Sequence, residues 1–191
     1  IAIARSVPNM NIIAPSDPSE LKDAVKFCCT RSTSPIYLRI GKSGEKNFTS
    51  KAIEKWKFGK IRKIVNGQDL CILSYGPIIK KAFKLRENLL KQNIKSSIFS
   101  CSTLKPFDLV RLRSIFKKYK KLIIIEDHSV INGLSQIVKV EAFESRFKGR
   151  IISFSLKDKF LNNYFSQDAL LDTHGLKDSI ILKKTLDQFN S

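Results

Sequence analysis

The run KLIIIED at residues 121–127 constrains the fold most, because it has strand length and is apolar without alternation. A strand with aliphatic side chains on both faces is typical of a parallel sheet covered by helices on either side. Similar runs recur at residues 69–76, 94–101 and 150–156, and segments with helical spacing separate them. Strands that alternate with helices predict parallel pairing through right-handed crossovers. We therefore expect residues 59–191 to form a three-layer α/β/α domain with a mainly parallel sheet.

An incomplete α/β unit is predicted at residues 1–45. The apolar run MNIIAPSD indicates a strand, and SPIYLRIGK indicates a second strand after a helix. Between them, Asp17 is placed to cap the helix, with Pro18 as its first residue and Glu20 as the returning member of a capping box. This strand–helix–strand unit is too small to hold a core alone. Since the chain opens at Ile1 inside an apolar stretch, we expect it to be part of a longer protein.

Two connections complete the predicted organisation. Residues 46–58 are polar and poorly periodic, so we expect a linker or an exposed crossover between the two units. Asn66–Gly67 separates two strand candidates and is a strong hairpin signal, which predicts that these two strands pair. Farther along, Gly76–Pro77 opens a helix, and Asp108 is placed to cap the next one.

The formal net charge of +18 raises nucleic acid as a partner. The basic residues are spread over nearly every segment, however, and no helix-turn-helix, zinc-finger or aromatic RNA-binding motif accompanies them, so we do not expect nucleic-acid binding. No apolar run approaches the roughly 20 residues that span a bilayer, so no membrane partner is expected either. The four cysteines match neither a disulfide framework nor a zinc spacing, which favours reduced thiols in the cytoplasm.

The sequence GKS at residues 41–43 invites comparison with a phosphate-binding P-loop. That loop needs a glycine five residues before Gly41, and the residue there is Ile36, so the P-loop is rejected. Lys42 nevertheless follows a predicted strand, and open α/β sheets bind ligands at the carboxyl ends of their strands. It is either a point-charge contact for a single phosphate or an ordinary solvated lysine.

The cluster Glu126–Ser129, an acid pair followed by histidine and serine, ends the long apolar strand. Consecutive residues on an extended chain point to alternating sides, which argues against a Ser–His–acid triad. One histidine and two carboxylates do not make a metal site, because His174 is far along the chain. A structural joint fits better: Ser129 or a neighbour caps the next helix, Gly133 permits close packing at its start, and Glu126 requires partners such as backbone N–H groups.

Two further candidates receive no catalytic role. His174 precedes Gly175, which is typical of a helix carboxyl end. Cys28 and Cys29 lie on a helix without a basic or histidine neighbour that would generate a thiolate, so we expect them to be packing residues.

The chain contains, in this order, the stretches RSVPNMNIIAPSDPSELKDAV, PIYLRIGK, LSYGPIIKKA and the pair TLKPFD and IIIEDHSVINGL. Together these four stretches resemble the latter part of transketolase. The similarity covers nearly the whole chain and is greatest to the smaller bacterial form, whose two halves can be separate chains. It implies the last β-α-β of a thiamine pyrimidine-binding domain (1–45), a linker (46–58) and a complete C-terminal domain (59–191). It also implies a transferase of pentose phosphate metabolism that uses thiamine diphosphate and magnesium to move a two-carbon ketol unit between sugar phosphates.

The resemblance further implies a division of labour. The family's cofactor-activating glutamate, its aromatic pyrimidine pocket and its Gly-Asp-Gly metal motif would all lie before Ile1. We therefore expect no catalytic, cofactor-binding or metal-binding residue in this chain, which would be inactive without an N-terminal half or subunit and would form a homodimer. One substrate contact would remain: Lys42, seven residues after Pro35, stands where the family has a basic residue, usually arginine, that binds the sugar phosphate. Arg39 is expected to be structural.

The stretch EDHSVINGL is similar to the family's Glu-Glu-His-Ser followed by Gly-Gly-Leu-Gly, at a domain and subunit contact. Asn132 and Ser135 replace two of those glycines. The related 1-deoxyxylulose-5-phosphate synthases are an alternative, but their usual Arg-Tyr-Pro-Arg-Gly and Glu-Glu-Gly differ from the residues here. A non-catalytic interaction module that keeps the dimer-forming domain is the other alternative.

Overall fold

The computed structural model describes residues 1–42, 44–162 and 164–187. Its helices are α1 (Ala2–Ser6), α2 (Pro18–Thr30), α3 (Ile79–Leu90), α4 (Leu109–Lys118), α5 (Leu134–Glu144), α6 (Gln167–Thr173) and α7 (Asp178–Asp187). Its strands are β1 (Asn11–Ile13), β2 (Ile36–Leu38), β3 (Arg62–Val65), β4 (Leu70–Ser74), β5 (Ser96–Ser100), β6 (Thr103–Lys105), β7 (Lys121–Ser129) and β8 (Arg150–Leu156). Among these described helices, none has the length and apolarity needed to cross a membrane.

The larger sheet has the strand order β3-β5-β4-β7-β8, and β5, β4, β7 and β8 run parallel to one another. Along β7, Leu122 and Ile124 pack in an apolar cluster with α4 and α5. Ile123 and Ile125 pack on the opposite face in a cluster with α3 and α7. The apolar run is therefore continuous because helices cover both faces of the strand. The predicted mainly parallel α/β/α architecture is confirmed.

The sheet order shows that the hairpin predicted at Asn66–Gly67 is wrong. β5 lies between β3 and β4, antiparallel to β3 and parallel to β4. The crossover through α3 brings β5 to one edge of β4, and β7 takes the other edge, so β4 has no free edge for β3. The connection instead passes the start of β5, where Gly67 donates its N–H to Ser97 Oγ at 2.8 Å. A side chain at Gly67 would clash with the backbone of Ser96, so close passage explains this glycine.

A three-stranded sheet joins the first block of the chain to the second. β1 pairs parallel with β2 and antiparallel with β6, which comes from the second block. Ile12 and Ala14, at and just after β1, belong to the same apolar cluster as Leu73 and Phe99 of the larger sheet. The first block thus packs against the core of the second. Neither α1 nor β6 was predicted. The stretch TLKPFD, which contains β6, was interpreted only as a turn into α4.

Residues 46–58 contain no helix or strand, and exposed residues such as Lys55 and Lys57 occur there beside side chains that pack inward. Thr49 is fully buried, and Trp56 packs edge-on against Phe27 of α2 with ring centroids 6.2 Å apart. Glu54 accepts a hydrogen bond through its backbone carbonyl from Arg62 Nε at 2.6 Å. The segment therefore fills the space between the two blocks.

Candidate functional site

The carboxyl ends of β1, β2 and β4 meet where the two sheets adjoin. Gly76, which follows β4, donates its N–H to the carbonyl oxygen of Ala14 at 3.2 Å. Arg39, which follows β2, donates its N–H to the carbonyl oxygen of Ile13 at 2.9 Å. A cavity of about 200 Å³ lies between the turns that leave these strands. Open α/β sheets bind ligands at such edges, so this cavity is the candidate site.

Three charged side chains, those of Asp17, Lys42 and Glu45, lie in the wall of the cavity. Lys42 is exposed, and its ammonium group has no hydrogen bond or ion pair with the described part of the chain. Its neighbour Gly41 lies so close to the turn after β4 that an added Cβ would come within 2.9 Å of Pro77 Cγ. The ammonium group is therefore unpaired within the described residues, and the backbone beside it packs tightly against the side chains of Pro77 and Glu45.

Asp17 is the predicted N-cap of α2, and the structure confirms it. Its carboxylate accepts hydrogen bonds from Glu20 N at 3.0 Å, Phe48 N at 2.8 Å and Thr49 Oγ1 at 2.8 Å. A further hydrogen bond comes from Thr49 N at 2.5 Å. With these donors, and with only 4% of its surface exposed, Asp17 holds the helix and the 46–58 segment rather than a ligand.

Glu20 departs from the predicted capping box. Its fully buried carboxylate accepts hydrogen bonds from Ser16 N at 2.9 Å and from Ser100 Oγ at 3.0 Å, and it faces Arg62 Nη1 at 3.3 Å. Burial raises the pKa of Glu20, although these hydrogen bonds and the charge of Arg62 act in the opposite direction. Because Arg62 and Ser100 belong to β3 and β5, Glu20 is a polar joint between the two blocks.

Glu126 ends the buried part of β7 and has no exposed surface. It accepts hydrogen bonds from Leu134 N at 2.7 Å and Ser135 N at 3.0 Å, the first two residues of α5. Ser155 Oγ donates at 2.9 Å and the Tyr75 hydroxyl at 3.4 Å. Burial and the charge of Glu126 raise the pKa of Tyr75, which keeps the phenol protonated as a donor. The expected backbone partners of Glu126 are thus present, and the carboxylate caps a helix.

The start of α5 follows from this cap. A Cβ added at Gly133 would clash with the carboxylate of Glu126, so the glycine permits the close packing that was predicted. Ser129 does not cap α5, because its hydroxyl accepts a hydrogen bond from Ile131 N at 3.3 Å. Glu126 caps α5 instead, because its buried carboxylate reaches the two helical N–H groups from the adjacent strand.

Asp127 and His128 diverge toward different parts of the first block. Arg39 donates to the carbonyl oxygen of Asp127 at 2.8 Å, and its second amino group lies 3.4 Å from the carboxylate. His128 Nε2 accepts a hydrogen bond from Ala2 N at 3.3 Å, so the ring proton resides on Nδ1, which donates to the carbonyl oxygen of Ser129 at 2.9 Å. These contacts connect β7 to β2 and α1, and they leave no acid–histidine–hydroxyl relay.

His174 stands at the carboxyl end of α6, as predicted. Gly175 has φ +86°, and Leu176 donates its N–H to the carbonyl oxygen of Leu171 at 3.0 Å, which closes the helix. His174 Nδ1 accepts a hydrogen bond from Lys157 N at 3.0 Å. Burial and the nearby lysines lower the pKa of His174, so the ring is a neutral acceptor in this structural role.

Cys28 and Cys29 lie side by side on α2. Cys28 is half-buried, and burial together with its neighbour raises the pKa of its thiol. Cys29 is exposed, so the packing role predicted for the pair is wrong for Cys29 and stays a prediction for Cys28. Within residues 1–42, 44–162 and 164–187, no three His, Cys, Asp or Glu side chains converge as metal ligands would.

Sequence reasoning missed two residues that shape the site. Glu45 brings a negative charge into the wall around Lys42. The only sequence feature that could have indicated this role is its place in the glycine-flanked loop GKSGEK. Ser43 of that loop lies outside the described residues. Arg62 pairs with Glu20 across the two blocks, and no local pattern reveals that pairing. Lys42 itself lies where the sequence placed it, after β2 at the carboxyl edge.

Comparison with known proteins supplies the family. The profile described as "Transketolase, C-terminal domain" matches residues 59–181. A protein of Methanocaldococcus jannaschii named a transketolase C-terminal section is 28% identical over 190 residues, which is 98% of this chain and 58% of that protein. A 1-deoxy-D-xylulose-5-phosphate synthase of Clostridium tetani is 27% identical over 94% of this chain and 29% of the enzyme.

A solved structure agrees with these relatives over nearly the whole chain. It is described as "Split gene transketolase, inactive beta4 tetramer", with a TM-score of 0.86 and 25% identity. The match covers 97% of this chain and 60% of that one. This chain therefore spans less than two thirds of the length of each of these three proteins.

Proposed function

This chain belongs to the transketolase C-terminal domain family, and on that premise we propose that it is part of a thiamine diphosphate enzyme that transfers a two-carbon ketol unit between sugar phosphates. Its own contribution is a scaffold, subunit contacts and one phosphate contact. Thiamine diphosphate and magnesium would be held by an N-terminal half or a partner subunit. The similarity to split-gene transketolase over 97% of the chain supports such an arrangement.

The observation that carries the proposal is the position of Lys42. Its unpaired ammonium group lies beside a cavity at the carboxyl edge of parallel strands, where a sugar phosphate has room to bind. Lysine offers a point charge rather than the bidentate fork of arginine, so it would bind the phosphate with less directional precision. The carboxylate of Glu45 in the same wall would repel the phosphate and weaken its binding.

Three buried carboxylates of this chain support the assignment of chemistry to another polypeptide. Activation of thiamine needs a carboxylate that faces the cofactor, but Asp17, Glu20 and Glu126 are engaged by backbone N–H groups, hydroxyls or Arg62. No described aromatic side chain lines the Lys42 cavity. We propose on this basis that the isolated chain does not hold thiamine diphosphate and is inactive.

Subunit contacts are proposed around α1 and the β7–α5 turn. The hydrogen bond from Ala2 to His128 brings these segments together. Apolar side chains remain exposed there, with Ile3 84%, Val130 50% and Ile131 53% accessible. Several large apolar groups in one region are unusual on the surface of a monomer, which favours a homodimer or an N-terminal partner at this face.

A 1-deoxyxylulose-5-phosphate synthase is the second candidate, because the Clostridium tetani enzyme matches 94% of this chain at nearly the same identity. The two functions differ in product. An assembled enzyme that forms 1-deoxy-D-xylulose 5-phosphate, and transfers no ketol unit between sugars, would establish the second candidate.

The test is complementation of activity. The chain is mixed with candidate N-terminal halves, thiamine diphosphate and magnesium, and ketol transfer is followed with phosphorylated and unphosphorylated acceptors. We expect activity only in the mixture. Lys42→Ala should raise the KM for the phosphorylated acceptor about tenfold, because one charge-assisted contact is lost, and leave the other acceptor unchanged.

Lys46→Ala is the matched control, because Lys46 is an exposed lysine of the same loop outside the cavity wall. Equal losses for both acceptors, or for both variants, would exclude the phosphate role of Lys42. Thiamine diphosphate binding by the isolated chain would contradict the proposed division of labour.

A further inference from the structure

A larger cleft of about 710 Å³ lies apart from the Lys42 cavity, between residues 54–60, the start of β3 and the first turns of α4. Its wall contains the cationic side chains of Lys55, Lys57, Lys60 and Arg111, and we call it the basic cleft. Arg62 also contributes, but its guanidinium group pairs with Glu20. Nothing in the proposed ketol transfer uses this surface.

The two carboxylates in the basic cleft are already engaged. Glu54 accepts hydrogen bonds from Arg111 Nη2 at 2.6 Å and from the backbone N–H of Lys63 at 2.8 Å. Asp108 caps α4 by accepting from the backbone N–H of Arg111 at 3.0 Å, and Lys60 Nζ lies 3.9 Å from it. These carboxylates are held by structural donors and leave part of the positive charge uncompensated.

Two lysines in the wall of the basic cleft, Lys55 and Lys57, carry charge that is not compensated. Lys55 and Lys57 are exposed, and their ammonium groups have no hydrogen bond or ion pair with the residues that the structure describes. Arg111 pairs with Glu54 through Nη2 and lies over the Phe99 ring at 5.7 Å, but its buried Nε has no hydrogen-bond partner within the same described residues. A buried donor without a partner costs free energy, so a bound acceptor would stabilise this wall.

The segment that carries the two lysines is anchored by the neighbouring aromatic side chains. Residues 54–58 alternate, so that Lys55 and Lys57 face solvent while Trp56 and Phe58 turn inward. Phe58 stacks on Phe27 with centroids 4.2 Å apart, and Trp56 Nε1 donates to Ser102 Oγ at 2.9 Å. The backbone that carries the two lysines is therefore anchored by side chains packed on α2 and against Ser102.

We propose that the basic cleft binds a ligand with two or more adjacent phosphates, of the size of a nucleoside diphosphate or triphosphate. Its volume is in the range of small-molecule sites, and Ile61 and Val110 add apolar surface beside the cations. A nucleic acid strand fits less well, because Phe27 and Phe58 stack on each other and do not offer their faces to bases. The site stands independently of the function proposed for Lys42.

The test uses the full chain and inorganic tripolyphosphate, with ADP as a second probe. Trp56 is the only tryptophan in the sequence and lies between the two lysines, so its fluorescence reports binding, and calorimetry gives the affinity. The double substitution Lys55→Gln and Lys57→Gln should weaken tripolyphosphate binding about tenfold, as expected for two partly exposed ion pairs. Added salt should weaken it further.

The matched control is the double substitution Lys91→Gln and Lys95→Gln, which removes the same charge from exposed lysines beyond α3. We expect this control to bind tripolyphosphate as the unmodified chain does. No binding at millimolar tripolyphosphate, or equal losses in both double variants, would overturn the site. A single-stranded oligonucleotide that binds more tightly per phosphate, and depends on the same lysines, would overturn the assignment to a small ligand.

Discussion

Replacement of Gly133 by alanine tests whether the carboxylate of Glu126 sets the start of α5. Gly133 has φ −84°, an ordinary value for any residue, so its backbone gives alanine no difficulty. The added Cβ would instead clash with Glu126. If that clash accounts for all of the stability lost on substitution, removal of the Glu126 side chain should abolish the destabilisation caused by alanine at position 133. A double-mutant cycle with Glu126→Ala measures this coupling.

The magnitudes follow from the contacts. Glu126→Ala removes the acceptor of two helical N–H groups and of the Ser155 hydroxyl, and we expect a loss of about 2–4 kcal/mol in the free energy of unfolding. Gly133→Ala alone should cost about 1–3 kcal/mol, as for other overpacked sites. In the Glu126→Ala background the new methyl group enters vacated space, so its cost should fall close to zero.

The four proteins of the cycle are compared by urea unfolding, with Trp56 fluorescence as the probe. Glu144→Ala, an exposed glutamate at the other end of α5, is the control and should shift the midpoint little. If Gly133→Ala costs the same with and without the Glu126 side chain, the carboxylate does not explain the glycine, and the account of this joint fails.

Two further predictions concern charge. Glu45→Gln should strengthen binding of a sugar phosphate at the Lys42 cavity by about two- to fivefold, because a nearby negative charge is removed; calorimetry that shows weaker binding would contradict this. Because burial raises the pKa of Glu20 in the folded state, its contribution to stability is full below its ordinary pKa and declines as the pH rises through the raised value. The destabilisation caused by Glu20→Gln should therefore shrink between pH 4 and pH 7 in urea unfolding, and growth over that range would reverse the assigned shift.

The sequence predicted those features that depend on local pattern. The uninterrupted apolar run of β7 indicated a doubly covered strand, and Asp17 and Asp108 were recognised as caps because capping is decided within a few residues. The predicted strand at residues 150–156 has the bounds of β8. The sequence also predicted that Lys42 follows a strand. Phosphate as the ligand of Lys42 stays a prediction.

Features that depend on distant partners were out of reach. Asn66–Gly67 has hairpin chemistry, but the order of the sheet is decided by the crossover through α3, which gives both edges of β4 to parallel strands. The pairing of Glu20 with Arg62 joins residues of different blocks, and no spacing rule encodes it. The unpaired cations of the basic cleft could not be recognised in the sequence, because lysines are frequent in nearly every segment.

The antiparallel partner of β1 has a consequence for synthesis on the ribosome. β1 and β2 are translated well before β6, the strand that completes their sheet. At about 5–20 residues per second, the nascent pair would wait on the order of several seconds with an open edge. Such an edge attracts other unfinished chains, so a slow-translating host or a stalled ribosome at this interval should favour aggregation or chaperone capture of this polypeptide.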